Sequence, residues 1–361
     1  MSHVYRIAVL AGDGIGPEVI DAAIAVLDKA AVQQAIELEY VYYDAGADYY
    51  RRTGQSIAPE SMQNLGDADA VLLGAMGLPD IRYPDGTEIA PQIEIREHYG
   101  LFASLRPCKL MAGVPTRIKA EKIDMLVIRE TTEGLFAGRH DKLEPSDEAV
   151  SDRLTISRKT SEKLFELAFA QARLRREKHG TPGHVTLLDK ANVLRSNAFL
   201  RKVFDEVALR HPDIETSRLY IDAGSMMFVT NPERYDVVVT ENVFGDITSE
   251  IGAGIVGGLG VAPSADVSER HGVFQPSHGT APDIAGQGVA NPVAMVLSAA
   301  MMLDWLAERN DDERCVRAAG RIRQATEQVL LDGVLARDLG GQATTADVTQ
   351  AMISALENAH G

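Results

Sequence analysis

The chain has 361 residues, more than the ~100 to 200 of one typical domain, so one large domain or two packed ones are expected. Its 45% hydrophobic and 24% charged residues exclude a wholly disordered chain and are enough for a sizeable core. Against 36 basic side chains stand 52 acidic ones, a formal charge of -16 that repels phosphate backbones and anionic lipid. Neither nucleic acid nor a membrane is an expected partner, and an anionic substrate would need locally concentrated arginine, lysine or a metal ion.

Arg6 to Leu10 reads as a strand and Ala11-Gly12-Asp13-Gly14-Ile15-Gly16-Pro17-Glu18 as a turn. Val19, Ile20, Ala23, Ile24 and Leu27 then recur at helical spacing. Met1 to Gly12 lacks the zones of a secretory signal, and no apolar run reaches the ~18 residues of a membrane span, so a cytoplasmic protein is expected. Cys108 and Cys315 are too few for a disulfide framework and read as buried thiols in a reducing compartment.

Further along, Ile36 to Tyr43 reads as a strand, Pro59 to Leu65 as a short helix, and Ala70 to Leu73 and Met125 to Ile128 as strands. Ser161 to Lys178 is an amphipathic helix with Leu164, Leu167, Ala168 and Ala172 on one face. Its Arg173, Arg175, Arg176 and Lys178 suit the negative end of the helix dipole. Val185 to Leu188, Leu219 to Ile221 and Val237 to Val239 are further predicted strands. Gly252 to Pro263 is dense in glycine and reads as a phosphate cradle or a crossing between domains; it lacks a P-loop ending. Pro292 to Leu306 is apolar around most of its circumference, a buried helix with Met295, Met301 and Met302 as filler and a candidate for a subunit contact. Thr344 and Asp347 open a last helix running to about Ala359. This alternation predicts an α/β fold on a mainly parallel sheet. A Rossmann reading is weak, because the third glycine of Gly12-x-Gly14-x-Gly16 comes one position early for the dinucleotide fingerprint.

Three groups of polar residues stand at strand ends, where α/β proteins place their sites. Arg96, Arg106 and Arg129 offer planar paired donors suited to a di- or tricarboxylate. Asp222, Asp246 and Glu250 are oxygen donors for Mg²⁺ or Mn²⁺, the last two being four apart and so on one face of a helix. Lys190, in Asp189-Lys190-Ala191-Asn192, closes an apolar strand, where desolvation suits it to general-base use.

The chain resembles the NAD(P)-dependent β-decarboxylating dehydrogenases, the isocitrate and isopropylmalate dehydrogenase family. The resemblance runs from Gly12-Asp13-Gly14-Ile15-Gly16-Pro17-Glu18 through Leu105-Arg106-Pro107, Asp189-Lys190-Ala191-Asn192-Val193 and Asn242-Val243-Phe244-Gly245-Asp246. It continues in His278-Gly279-Thr280-Ala281-Pro282-Asp283-Ile284-Ala285-Gly286 and Asp338-Leu339-Gly340-Gly341. It implies an isopropylmalate dehydrogenase-like two-domain fold, not a Rossmann fold, with a large mainly parallel central sheet, residues 1–98 plus 254–361 as a cofactor-binding domain and 99–253 as a substrate and dimerisation domain. It also implies a homodimer with shared active sites.

By the same resemblance Arg96, Arg106 and Arg129 hold the carboxylates of a hydroxy di- or tricarboxylate, while Asp246 and Glu250 with Asp222 of the partner subunit hold Mg²⁺ or Mn²⁺. Lys190 and Asn192 reach across the dimer. Lys190 and Asp222 are the expected catalytic residues. His278, Gly279, Thr280, Ala281, Pro282, Asp283, Ile284 and Asn291 form the adenosine site, and Asp283 with Ile284 implies NAD over NADP, since a carboxylate repels a 2′-phosphate.

Two departures from the family are visible. Phe136 occupies the place of the tyrosine that supplies a proton to the enolate, leaving water or a neighbour such as Thr132 or Glu133 to serve, and Glu250 occupies the place of an aspartate. In the specificity segment Glu88 to Ile95, Gln92 and Ile93 stand where isopropylmalate enzymes have paired leucines, which makes the pocket mixed. A 3-isopropylmalate-like substrate is the first expectation, with D-malate, tartrate or isocitrate as alternatives. A weakened or regulatory subunit of the same fold is the alternative from another class.

Overall fold

The computed structural model describes residues 3–116, 118–120, 122–140 and 148–358. In chain order they form β1 (Val4–Leu10), α1 (Gly16–Gln33), β2 (Glu37–Tyr42), α2 (Ala47–Thr53), α3 (Pro59–Asn64), β3 (Ala70–Leu73) and α4 (Pro91–Tyr99). Then come β4 (Ala103–Lys109), β5 (Asp124–Glu130), α5 (Arg158–His179), β6 (His184–Asp189), α6 (Arg195–Ala208), β7 (Glu215–Tyr220), α7 (Ile221–Thr230), β8 (Val237–Thr240) and α8 (Asn242–Ile255). The chain closes with β9 (Pro263–Val267), β10 (Gly272–Pro276), α9 (Val293–Asn310), α10 (Glu313–Leu331) and α11 (Thr345–Asn358).

Two compact units result. The first comprises Met1–Tyr99, Met111–Thr116 and Val256–Gly361, the second Gly100–Leu110 and Arg117–Ile255. In the first unit the strand order is β2-β1-β3-β10-β9, parallel except for the β9-β10 hairpin. In the second it is β4-β5-β8-β6-β7, parallel except for β4 against β5. The fold is therefore α/β and mainly parallel. Central strands such as Ala70–Leu73 and Val237–Thr240 are buried throughout, which is why they read as unbroken apolar runs. In α9 twelve of eighteen residues are buried, Met295 and Met302 among them, and Met301 is not.

Several elements differ from expectation. The strand expected at Leu219 to Ile221 lies earlier, at Glu215–Tyr220, and Ile221 already begins α7. As the last strand in the order, β7 is only half-buried and carries Glu215, Thr216, Ser217 and Arg218, so an apolar-run criterion passes over it. The strands β4, β9 and β10 escaped notice because buried polar residues interrupt them, Ser104 and Arg106 in the first, Ser264, Asp266 and Gln275 in the hairpin. Of the two readings of the glycine-dense segment, the crossing holds: the chain passes from the second unit to the first after Ile255. The cations of α5 answer to more than a helix dipole, since Arg173 and Arg176 pair with Asp213 and Arg175 with Asp124 and Asp236. Thr344 and Asp347 do cap α11, whose expected end at Ala359 lies outside the described residues. Among the described residues no helix is long and apolar enough to cross a membrane.

Candidate active site

In the second unit the antiparallel register of β4 and β5 sets Ser104 opposite Arg129 and Arg106 opposite Val127. Side chains alternate along a strand, so Ser104, Arg106 and Arg129 share one face, and α8 packs on that face. Gly245 makes the approach possible: a Cβ there would lie 2.6 Å from the Cβ of Arg129. Glu241 caps α8, accepting the N–H groups of Val243 (3.1 Å) and Phe244 (2.9 Å).

From this helix Asn242 Oδ1 accepts Arg129 Nε (3.1 Å) and Nη2 (2.7 Å), and Asp246 pairs with Nη1. Arg106 Nη1 donates to Ser249 Oγ at 3.0 Å, Nη2 lies 3.7 Å from Asp246, and Nη1 lies 3.7 Å from Glu250. The two arginines are buried, at 2% and 8% exposure, while the side chains of Asp246 and Glu250 keep 39% and 45%. Burial pushes the Glu250 carboxyl up, and the Arg106 guanidinium opposes it. Guanidinium groups held this firmly suit carboxylate recognition, and two carboxylates one turn apart at the surface suit a hard divalent cation.

Lys190 and Asn192 follow β6. Asp189 is fully buried, accepts both Arg201 Nε (2.7 Å) and Nη2 (2.8 Å), and takes the Ala191 N–H at 2.9 Å, which shapes the turn. Lys190 Nζ donates to Asp222 Oδ1 at 2.6 Å, and this bond holds the Asp222 carboxyl below the usual carboxylate range. Asp222 sits in the first turn of α7, not at a strand end as expected, so the helix dipole also favours its charge. Asn192 and Val193 are exposed. One chain does not gather Asp222 with Asp246 and Glu250: among the described residues no three His, Cys, Asp or Glu side chains meet to hold a metal.

The first unit carries Arg96, Gln92 and Ile93 on α4. Glu94 anchors that helix by accepting Ser56 Oγ (2.9 Å) and Tyr83 OH (2.8 Å). Arg96 is buried and donates Nε to Asp266 at 2.8 Å. Gln92 lies one turn before it, and its Oε1 is buried without a partner among the described residues.

The same unit holds the loop from His278 to Gly286. Ile15 N donates to Thr280 O at 2.9 Å, and a Cβ on Gly14 would lie 2.1 Å from that carbonyl, so the opening glycine turn and this loop are in direct contact. Thr280 Oγ1 donates to Gly77 O at 2.7 Å, and the buried Asp13 accepts the N–H groups of Ala47, Asp48 and Gly77 at 2.7, 2.9 and 2.9 Å. Ala281 adopts φ 37°, and Gly279, Pro282 and Asp283 are exposed, with Ile284 half-buried. Asn291 Nδ2 donates to Asp338 at 3.1 Å. His278 Nδ1 lies 2.9 Å from the Gly279 carbonyl, an acceptor, and burial lowers the ring's pKa. Its Nε2 is buried without a partner among the described residues.

Residues 6–355 match the family described as isocitrate/isopropylmalate dehydrogenase. The chain belongs to this family. It is 40% identical over 349 residues, 96% of its own length and 97% of the relative's, to the 3-isopropylmalate/3-methylmalate dehydrogenase of Methanocaldococcus jannaschii. It is 38% identical over 367 residues to the 3-isopropylmalate dehydrogenase of Heyndrickxia coagulans, covering 98% and 97% of the two chains. Among solved structures it is similar to the isocitrate dehydrogenase of Methylococcus capsulatus, with TM-score 0.85, 31% identity and 98% and 99% coverage. A β-decarboxylating dehydrogenase from Thermococcus kodakarensis gives TM-score 0.80 at 33% identity, with 98% and 96% coverage.

The fold is thus that of the isocitrate/isopropylmalate dehydrogenase family, and the chain is an oxidative decarboxylating dehydrogenase of the class that uses NAD and Mg²⁺ or Mn²⁺. Sequence reading overlooked Asn242, Ser249 and Asp266, the partners of the three arginines. Asn242 and Ser249 stand in or beside a quoted motif, so their place on the Asp246 helix was a usable signal; Asp266 had none.

Proposed function

We propose that the chain oxidises a 3-substituted (R)-malate at C2 with NAD and decarboxylates it, with a 3-isopropylmalate-like acid as the first-choice substrate. The observation that carries this reading is the juxtaposition of buried Arg106 and Arg129 with the rim carboxylates of Asp246 and Glu250. It supplies fixed cations for an anionic substrate, which a chain of formal charge -16 otherwise repels, and oxygen donors for a divalent ion. The names of the relatives at 37 to 40% identity support the choice of substrate.

In this reading Arg96, Arg106 and Arg129 bind the carboxylates, and Asp246 and Glu250 with the partner subunit's Asp222 hold the cation. A bound Mg²⁺ or Mn²⁺ would supply Lewis-acid polarisation of the substrate oxygens, and bound NAD would supply the hydride acceptor. Lys190 and Asn192 reach across the dimer together with the Asp222 that holds Lys190 Nζ at 2.6 Å; in its neutral form Lys190 takes the hydroxyl proton, and Asn192 hydrogen-bonds the substrate beside it. His278 to Ile284, with Asn291, hold the adenosine, and exposed Asp283 selects NAD. The first unit, close to the expected 1–98 with 254–361 but including Met111–Thr116, acts as the cofactor domain, and the second, within the expected 99–253 but for its last two residues, as the substrate and dimerisation domain.

A homodimer with shared sites is supported by apolar side chains left in the open on two packed helices, Met226 (57%) and Val229 (48%) on α7 and Ile247 (54%) on α8. The free, buried Cys108 and Cys315 fit a cytoplasmic location.

The partnerless Gln92 Oε1 favours a second reading, a malate with a hydrogen-bond donor at C3 such as tartrate, since a buried acceptor left unpaired is costly. The test is NADH formation by the purified chain with Mn²⁺ and 3-isopropylmalate, 3-methylmalate, D-malate, tartrate or isocitrate. Highest kcat/KM on 3-isopropylmalate is expected. Highest kcat/KM on tartrate establishes the second reading, and no NADH with any of the acids defeats both.

A further inference from the structure

We propose that Asp266 is the positioning residue of Arg96, gripping one edge of its guanidinium so that the two terminal nitrogens are presented to a substrate carboxylate. The proposal rests on the reading that Arg96 binds substrate. Arg96, Asp266 and Gln275 are 7%, 1% and 8% exposed, all within the first unit. Arg96 Nε donates to Asp266 Oδ2 at 2.8 Å, and Gln275 Nε2 donates to the same oxygen at 2.6 Å. Among the described residues this carboxylate is the only hydrogen-bond partner of the Arg96 side chain.

Burying a guanidinium is expensive unless a counter-charge accompanies it, so Asp266 lets Arg96 wait at a buried position with its charge intact. The point of attachment matters as much as the charge. Nε is the single donor on one edge of a rigid plane; holding it there fixes the plane and leaves Nη1 and Nη2 as a fork for bidentate contact with a carboxylate.

Both ends of the pair stand on rigid elements. In the β9-β10 hairpin Asp266 is opposite Val273 and Gln275 is opposite Ser264, so Gln275 lies diagonally across from Asp266 on the same face. Ser298 of α9 ties the hairpin down, accepting Ser264 N at 3.2 Å and donating to Gln275 O at 2.8 Å. Arg96 stands on α4, whose orientation is set separately by the bonds of Ser56 and Tyr83 to Glu94.

The experiment compares full-length unmodified, Asp266→Asn and Asp266→Ala proteins in NADH formation with Mn²⁺ and the most active acid of the panel, alongside thermal melts and calorimetric binding of that acid. The KM for the acid should rise about 3- to 10-fold in Asp266→Asn, where a neutral oxygen grips Nε more weakly, and about 10- to 100-fold in Asp266→Ala. The KM for NAD should stay within about twofold, because Asp266 acts only through Arg96. Combining Asp266→Asn with Gln275→Glu returns a carboxylate to the same face from the neighbouring strand and should bring the acid's KM back toward the unmodified value. If Asp266→Ala does not fold, the near-isosteric Asp266→Asn decides. A folded Asp266→Asn protein whose melting temperature falls while the acid's KM is unchanged overturns the assignment of Asp266. An unmodified chain that neither binds nor oxidises any of the acids overturns the functional reading, and Asp266's role with it.

Discussion

The guanidinium of Arg129 lies over the ring of Phe136, its central carbon 5.3 Å from the ring centroid. The same guanidinium is bonded to Asn242 and paired with Asp246, so Phe136 adds an aromatic face to a buried cation. An aromatic ring at 136 therefore supports the site whether or not it carries a hydroxyl. The neighbours expected to replace a missing acid are engaged elsewhere: Thr132 Oγ1 donates to Glu130 at 2.6 Å, and the Glu133 carboxylate accepts Ser157 N at 2.7 Å.

Phe136→Tyr keeps the ring over Arg129 and adds a proton donor. A positioned general acid contributes ~10² to 10⁴ in rate, so turnover on the natural β-carboxylated substrate should rise by at least about tenfold, and rapid mixing of the unmodified enzyme should show a burst of NADH ahead of slower steady turnover. Unchanged turnover in the variant, with no burst in the parent, would mean that protonation is already fast.

The exposed Asp283 should repel the 2′-phosphate of NADP, giving the unmodified chain the higher kcat/KM with NAD. Asp283→Lys with Ile284→Tyr should weaken or reverse that preference. Equal kcat/KM for the two coenzymes in the unmodified chain would contradict the assignment.

Lys190 is paired with Asp222, whereas Asp246 is paired with Arg129, so two separate clusters of one chain are proposed to meet across a dimer. Lys190→Ala and Asp246→Ala should each be inactive alone. Mixing them under conditions of verified subunit exchange should restore part of the activity through hybrid dimers. Absence of any recovery would argue for sites built within one chain.

Burial pushes the Glu130 carboxyl up from 4.5 to about 7, against the hydrogen bonds that Thr132 and Glu133 donate to it. With the folded value above the unfolded one, the folded chain keeps a proton that the unfolded chain has already released between these two pH values. The resulting stabilisation is fully present below about pH 4.5 and is lost as pH rises through 7, a difference of about 3 kcal/mol. Glu130→Gln retains an oxygen for the same N–H groups but cannot ionise. Its melting temperature should fall less between pH 5 and pH 8 than that of the unmodified chain; equal falls would refute the shift.

Sequence alone determined the chemistry available, because residue type and short spacing are local properties. The four-residue step from Asp246 to Glu250 puts both on one side of α8 wherever that helix lies, and Lys190 directly follows a largely apolar strand. The central strands were legible for the same reason, since burial on both faces leaves an unbroken apolar run. Strands such as β7, β9 and β10 were not, because polar residues that are satisfied only by distant partners break the pattern. Tertiary structure alone decided what each charged group touches. Arg129 meets Asn242 across 113 residues, Arg106 meets Ser249 across 143, and Arg96 meets Asp266 across 170. No periodicity connects such pairs: they meet because the pleat of one element and the turn of another aim two side chains into the same buried space, where a lone charge would be too costly to keep.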